Sequence, residues 1–307
     1  MNIERATTYF VLLVTGATGF IGSNLVKYLI ERGYEVRVFV RNFQKAKNIF
    51  GDRVEIVKGV FQNKEDVQKA VKDVDIVIHL AGVVKLKPKE EVWESNFLTT
   101  KYLLEECKRV EKFIFSSTID VYGPLKVFAT EEHPLNPIDV YARSKVEAEK
   151  VVVQSGIDYS ILRIGIVYGV GARWWEYAFK FLKFGFIPKT NNVTHLIHVS
   201  DLVKAIEKVV NKGKKNSVYN VANERPTKIK SVFSYIVKLF GKKPREIPMF
   251  LVKTVGTLLG MKDVIEIALM NRKVDVSRAK KELGFRTKAN MKEILREMVE
   301  YYKKVQA

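Results

Sequence analysis

Cysteine is almost missing from this 307-residue chain: Cys107 is the one thiol, so no disulfide can close within it and no site can be built from several thiolates. Histidine is scarce too, with four in all. His195 and His198 stand three apart on a candidate strand and so point to opposite faces, while His79 and His133 are isolated, and a metal site is not expected. Long apolar runs are also lacking. The longest uncharged stretch, residues 6–26, is interrupted by three glycines and several hydroxyl and amide side chains, and its compact apolar part covers only residues 9–14. That is too short for a membrane span or a secretory signal, so neither is expected and the location expected is cytoplasmic. Carboxylates are outnumbered: 34 Asp and Glu face 53 Lys and Arg, a formal charge of +19. Such an excess raises nucleic acid, an anionic membrane surface or a phosphorylated ligand as partners. The cations are scattered, however. Clusters such as Lys212, Lys214, Lys215 and Lys242, Lys243, Arg245 sit beside Gly, Asn or Pro without interleaved aromatics, as in a solvated lysine-rich surface, and nucleic-acid binding is not expected. With 47% hydrophobic and 28% charged residues, the composition excludes a disordered tail, a collagen-like fibre and a polytopic membrane protein.

What is present is an alternation. Short runs rich in Val and Ile at residues 9–15, 35–40, 54–57, 75–80, 112–116 and 158–163 read as strands buried on both faces. Amphipathic segments at 20–31, 64–72, 91–109 and 140–154 read as the helices between them. The fold class expected is therefore α/β, a Rossmann-type doubly wound parallel sheet. Beyond residue 165 the alternation loosens into aromatic-rich segments, two short strands (195–199 and 217–221) and helices near 202–211, 230–240 and 290–304. No linker rich in Gly, Ser or Pro separates the halves. Residues 1–165 are expected to form a dinucleotide-binding domain, and 166–307 mainly a smaller substrate-binding lobe packed on it as one continuous body.

The first strand runs directly into Gly16-Ala17-Thr18-Gly19-Phe20-Ile21-Gly22 and then into a helix. Glycines three apart at such a turn let the backbone approach a pyrophosphate, which the helix N-terminus attracts with free N–H groups and its dipole. Tyr141 and Lys145, four apart on a candidate helix, share one face, so the ammonium is expected to lower the phenol's pKa toward working pH. A phenol so tuned exchanges a proton with a carbonyl or alcohol. The same spacing recurs at Tyr122 and Lys126, but Gly123-Pro124 between them breaks a helix. That pair is expected in a loop at the edge of the substrate pocket. At the end of the second strand, Val40-Arg41-Asn42 with Lys45 following offers no carboxylate for an adenosine ribose. Arg41 could instead pair with a 2'-phosphate, so NADP is preferred and NAD is the alternative.

Together these motifs resemble the extended short-chain dehydrogenases/reductases, the NAD-dependent epimerase/dehydratase family, and are closest in pattern to its dihydroflavonol-reductase-like and hydroxysteroid-dehydrogenase-like members. The resemblance extends through His79-Leu80-Ala81-Gly82, Ser116-Ser117-Thr118-Ile119-Asp120-Val121-Tyr122-Gly123, Tyr168-Gly169 and Asp275-Val276-Ser277-Arg278-Ala279. It implies an oxidoreductase that moves hydride between a nicotinamide and an alcohol or ketone, with a nucleotide-sugar epimerase or dehydratase retaining NAD as the rival. A non-catalytic nucleotide-sensing or nucleic-acid-binding protein is a third reading, motivated by the charge. The resemblance further implies that Thr118 polarises the substrate oxygen, with Ser117 as the alternative. Gly16, Thr18, Gly19, Phe20, Ile21, Gly22, Arg41, Lys45, Leu80, Ala81, Gly82, Tyr141 and Lys145 would hold the cofactor. Val83, Ser117, Tyr122, Tyr168, Trp174 and Trp175 would face the substrate. A homodimer through the helices at 91–109 and 140–154 is also implied. Val60 stands where many members carry an aspartate against adenine, and Ile164 and Ile166 occupy a stretch where sugar-nucleotide enzymes offer asparagine. With the aromatics between Trp174 and Phe186, this favours an apolar or ring-containing substrate. Residues 248–270 are mostly apolar and could form a pocket lid, an oligomer face or a surface that touches lipid.

Overall fold

The computed structural model describes residues 10–84, 88–258, 265 and 269–306. Seven parallel strands form the central sheet: β1 (Val11–Thr15), β2 (Glu35–Val40), β3 (Glu55–Lys58), β4 (Ile76–His79), β5 (Lys112–Thr118), β6 (Asp158–Ile164) and, from the second half, β11 (Ser217–Val221). Their order is β11-β6-β5-β4-β1-β2-β3, so the chain reverses direction beside β1. In an open parallel sheet that reversal leaves a crevice at the C-terminal strand ends, where ligands bind. β1 and β4 are buried almost throughout because helices cover both faces, as continuous Val, Ile and Leu runs require.

One face carries α1 (Phe20–Glu31) and α8 (Val199–Lys212), which pack together with α2 (Phe43–Phe50) around Leu12, Val14, Leu25, Val38 and Ile206. The other carries α3 (Lys64–Val71), α5 (Thr99–Glu106) and α6 (Val140–Gln154) around Leu13, Val77, Phe113 and Ala148. Local chemistry sets the boundaries. Asn42, Asn63 and Asp139 cap α2, α3 and α6 with side-chain oxygens, and Gly33 at φ +82° lets the chain leave α1. The helix expected at 91–109 is broken: α4 (Lys89–Trp93) passes through a π-helical turn at Glu94–Leu98 into α5. There the hydroxyls of Thr99 and Thr100 donate to the carbonyls of Ser95 and Asn96. α2 was not expected at all.

The second half contributes α8 and β11 to the sheet and, from segments before and after them in the chain, builds a layer of its own. β7 (Ile166–Tyr168) pairs with β10 (Leu196–His198), β8 (Phe186–Pro188) with β13 (Arg245–Ile247), and β9 (Val193–Thr194) with β12 (Thr227–Lys228). Around them α7 (Arg173–Leu182), α9 (Ile229–Leu239) and the last helix, Met291–Gln306, enclose an aromatic core of Trp175, Phe179 and Tyr302. α10 (Met249–Leu258) follows β13 directly; residues 259–264 and 266–268 of the apolar segment lie outside the described residues, as does Tyr9 of the first expected strand.

Candidate active site

Gly16 follows β1 at φ +68°, and a Cβ there would stand 2.7 Å from the backbone of Leu80 and Ala81. A Cβ on Gly22 would collide with the Gly16 carbonyl, so the first turn of α1 sits against the loop only because both residues lack side chains. Gly19 precedes α1 and no side chain caps it, which leaves the first-turn N–H groups facing a cavity of about 1810 Å³. Thr18, Phe20, Ile21, Arg41, Lys45, Leu80, Ala81, Gly82 and Val83 line the same cavity. This cradle and this uncapped helix end fit a dinucleotide's pyrophosphate. Arg41 is exposed at the end of β2, and the Lys45 N–H donates to the capping Asn42 oxygen at 2.9 Å. Sequence reasoning missed Asn96. Its side-chain amide accepts from the Val83 N–H at 3.1 Å and donates to the Val83 carbonyl at 3.0 Å, fixing the loop after β4.

The opposite wall is made by β5 and α6. Asp139 accepts from the Ala142 N–H at 2.6 Å and so starts α6 just before Tyr141, with Lys145 one turn on. Thr118, the last residue of β5, shares a hydrogen bond with the Tyr141 hydroxyl and accepts from the Asp120 N–H at 3.2 Å. Ser117 donates instead to Glu149. Of the two hydroxyls left open by the sequence, that of Thr118 therefore stands beside the phenol. Lys145 Nζ donates to the Ser116 carbonyl at 2.8 Å and lies 4.8 Å from the centre of the Phe115 ring.

The electrostatics depart from the simple expectation. Burial, with the carboxylates of Asp120 and Asp139, pushes the Tyr141 phenol above its ordinary range, against the pull of the Thr118 hydrogen bond. Lys145 is directed at a carbonyl and does not offset this. Its own ammonium is brought down to about 8 by burial, with the Glu149 charge opposing. Tyr141 is consequently protonated at neutral pH, and in the empty site it holds that proton more tightly than a free phenol does.

Beyond Tyr141 the cavity wall turns apolar: Ile164, Ile166, Trp174, Trp175, Phe181 and Phe233 line it. Trp175 is fixed by its indole N–H, which donates to the Val167 carbonyl at 3.1 Å. Two substrate-facing expectations are corrected. Tyr122 ends a 3-10 turn, Ile119–Tyr122, and is buried, its hydroxyl donating to Asn220 at 2.8 Å and accepting from Arg163 at 2.9 Å. Tyr168 lies in the aromatic core against Trp175 and His198. Neither lines the cavity. Arg272, a second residue the sequence did not reveal, does line it; it is buried and held by Asp120 and the Met270 carbonyl. His79 is structural: its ring bridges Thr15 and Thr100, and burial, with the nearby Lys145 charge, takes it down to about 3.

A parallel sheet with a glycine cradle at its reversal point and a Thr/Tyr/Lys group across the same cleft defines a dinucleotide-dependent enzyme of the extended short-chain dehydrogenase/reductase type. The chain belongs to the NAD dependent epimerase/dehydratase family, whose model matches residues 12–222. It is 27% identical over 310 residues to sterol demethylase protein B of Methylococcus capsulatus, spanning 89% of this chain and 92% of that protein. It is also 27% identical over 307 residues to a UDP-glucose 4-epimerase of Vibrio cholerae, spanning 92% of each. Among solved structures, the Thermotoga maritima UDP-glucose 4-epimerase with UDP-glucose superposes with a TM-score of 0.81 at 26% identity, covering 97% of this chain and all of that one (100%). The Bacillus anthracis dTDP-glucose 4,6-dehydratase in complex with NAD gives 0.78 at 25% identity, covering 96% of this chain and 97% of that one.

Proposed function

We propose that this enzyme transfers hydride between a nicotinamide dinucleotide and an alcohol or ketone carried on an apolar or ring-containing molecule. One observation carries the reading: the Thr118, Tyr141 and Lys145 side chains share a single cavity with the glycine cradle, and the wall beyond them is aliphatic and aromatic. The dinucleotide supplies the hydride-accepting or hydride-donating ring. Tyr141 gives its proton to the substrate oxygen in reduction and takes it back in oxidation, Thr118 donates a hydrogen bond to the same oxygen, and Lys145 is the residue that would hold the dinucleotide's nicotinamide end. With purified enzyme and either dinucleotide, ring-containing secondary alcohols and ketones should turn over and UDP-glucose should not. Epimerisation of UDP-glucose with tightly retained NAD would overturn the reading.

That alternative has its own support in Arg272, a buried cation on the cavity wall that an anionic substrate could draw from Asp120. The mass of whatever co-purifies separates the two: a nucleotide sugar favours the alternative and an apolar compound the first reading.

The preference for NADP belongs to the same proposal, supported by the exposed Arg41 on the cofactor side of the cavity. Arg41→Ala should weaken NADPH about tenfold to a hundredfold and leave NADH nearly unchanged, because only NADPH offers a phosphate for a charge-assisted bond. The loss should shrink as salt rises. Titration of both cofactors by fluorescence checks this, and equal weakening would reduce Arg41 to stacking on adenine. We place the enzyme in the cytoplasm as a homodimer packed through the helical stretch 91–109 and α6; sedimentation of the pure protein tests the dimer.

A further inference from the structure

The cavity opens through a lip that is apolar at its edge and basic around it. Tyr177, Phe181, Phe184 and Phe186 line the cavity and yet are exposed to solvent, Phe184 by 65% of its surface. β13 pairs with β8 beside them, and α10 continues from β13, adding Leu251 to the cavity wall and Phe250, 67% exposed, to the outside. Four large aromatics exposed on the wall of one cavity mark an interaction surface. The flanking charge has one dominant sign: Lys180 and Lys183 on the α7 side, Lys242, Lys243 and Arg245 at the start of β13, and Lys253 on α10. Two acids lie in these segments, Glu176 on α7 and Glu246, and Glu246 is engaged by Lys230. The Lys183 and Lys180 ammonium groups lie 5.3 and 5.4 Å from the ring centres of Phe184 and Tyr177, so apolar edge and cation are interleaved at the side-chain level. Among the described residues, no helix is long and apolar enough to cross a membrane.

We propose that this lip docks on the surface of an anionic lipid bilayer, with Phe184 and Phe250 entering the headgroup boundary and the surrounding lysines and arginine meeting lipid phosphates. Aromatic insertion and electrostatic attraction together are what hold peripheral proteins there, since neither alone gives stable binding. The cavity mouth then faces the bilayer. Docking does not depend on the substrate assigned above, because its test contains no substrate and its failure leaves that assignment standing.

The whole chain carries +19, so attraction to anionic vesicles is not in itself informative. The test is flotation with phosphatidylcholine vesicles, with and without phosphatidylglycerol, at physiological salt. The unaltered protein should float only with phosphatidylglycerol present. Phe184→Ser combined with Phe250→Ser, which leaves every charge in place, should lower partitioning about tenfold or more. Lys242→Glu, Lys243→Glu and Arg245→Glu together should lower it on the order of a hundredfold. Lys212→Glu with Lys215→Glu, beyond the end of α8, should cost little. Equal losses in both charge sets, or full binding by the serine variant, would overturn the proposal. A gain-of-signal variant guards against misfolding: Phe184→Trp should be quenched by brominated phosphatidylglycerol, and its absence would count against docking. If instead the serine variant converts a dimer into monomers in sedimentation, the lip is a contact between copies of this chain, and the proposal fails.

Discussion

Tyr141→Phe is expected to bind the dinucleotide as the unaltered chain does and to lose about 10²–10⁴ of its turnover, the usual contribution of one positioned proton donor. The substitution removes one oxygen and keeps the ring that packs on the cavity wall. Cofactor binding should survive because the glycine cradle and Lys145 are untouched. The pH profile adds a second readout. Burial and the carboxylates of Asp120 and Asp139 keep the phenol protonated through the neutral range, so it acts as an acid without having to gain a proton first. Lys145 behaves oppositely: burial lowers it to about 8, so its charge is present below that pH and is lost above it. The rate constant for cofactor capture should therefore fall as pH rises past about 8. Lys145→Met should abolish that limb and lower the plateau. Stability moves the other way, because the unfolded chain binds the lysine's proton more tightly: the cost of burying the ammonium is present at neutral pH and is relieved as pH rises from about 8 toward the ordinary lysine value. Stopped-flow binding and steady-state rates across the pH range check both limbs. Unchanged turnover in Tyr141→Phe would remove the phenol from the reaction.

Much of this site is written in consecutive residues, and those parts were legible. The cradle lies within seven residues between a strand and a helix, α6 spans the 140–154 that its pattern marks, and Tyr141 and Lys145 need only one helical turn to share a face. The errors arose where side chains far apart in sequence decide the outcome. Tyr122 looked like a rim residue because Gly123-Pro124 follows it, but its hydroxyl is claimed by Asn220, 98 residues away, and its ring lies 4.9 Å from the Arg163 guanidinium carbon. Arg272 reaches Asp120 across 152 residues, and nothing local to Asn271-Arg272-Lys273 announces it. The π-helical turn has the same origin, since Asn96 is held by Val83 in a loop that periodicity does not see. Even the shift on Tyr141 follows this rule. The helix spacing was right, but the net effect depended on Asp120 and on burial, which a helix viewed alone does not contain. α2 is hidden for a different reason: in its eight residues only Ala46 and Phe50 are buried, too few to set up a visible period, and Asn42, which caps it, is the second residue after β2.

The largest stability effect is expected at Glu149, which no motif marks. On the inward face of α6, it accepts from Arg163 through Nη2 at 2.7 Å and Nε at 3.1 and 3.2 Å, and also from the Ser117 hydroxyl, with both charged side chains almost fully buried. Burial works against the Arg163 charge, but the Glu149 hydrogen bonds and carboxylate outweigh it and hold the guanidinium above its ordinary value. Glu149→Ala would leave that guanidinium, among the described residues, with the Tyr122 hydroxyl and the Glu131 carbonyl as partners, and strand Ser117 as well. An uncompensated buried charge of this kind costs about 3–5 kcal/mol, a large share of a domain's stability. Replacing the pair together, Glu149→Leu with Arg163→Met, removes both charges and should recover most of the loss, since a well-packed apolar pair can stand in for a buried ion pair. Function supplies an independent check. Among the described residues, Glu149 is the charge that holds the Lys145 ammonium up against burial, so in the double variant, folded but lacking that carboxylate, the alkaline limb of cofactor capture should move below about 8. Urea unfolding of the single and double variants, with cofactor binding measured across pH, tests the two effects separately. A single variant within about 1 kcal/mol of the unaltered chain would show that water reaches Arg163 and that the pair is not the anchor of this wall.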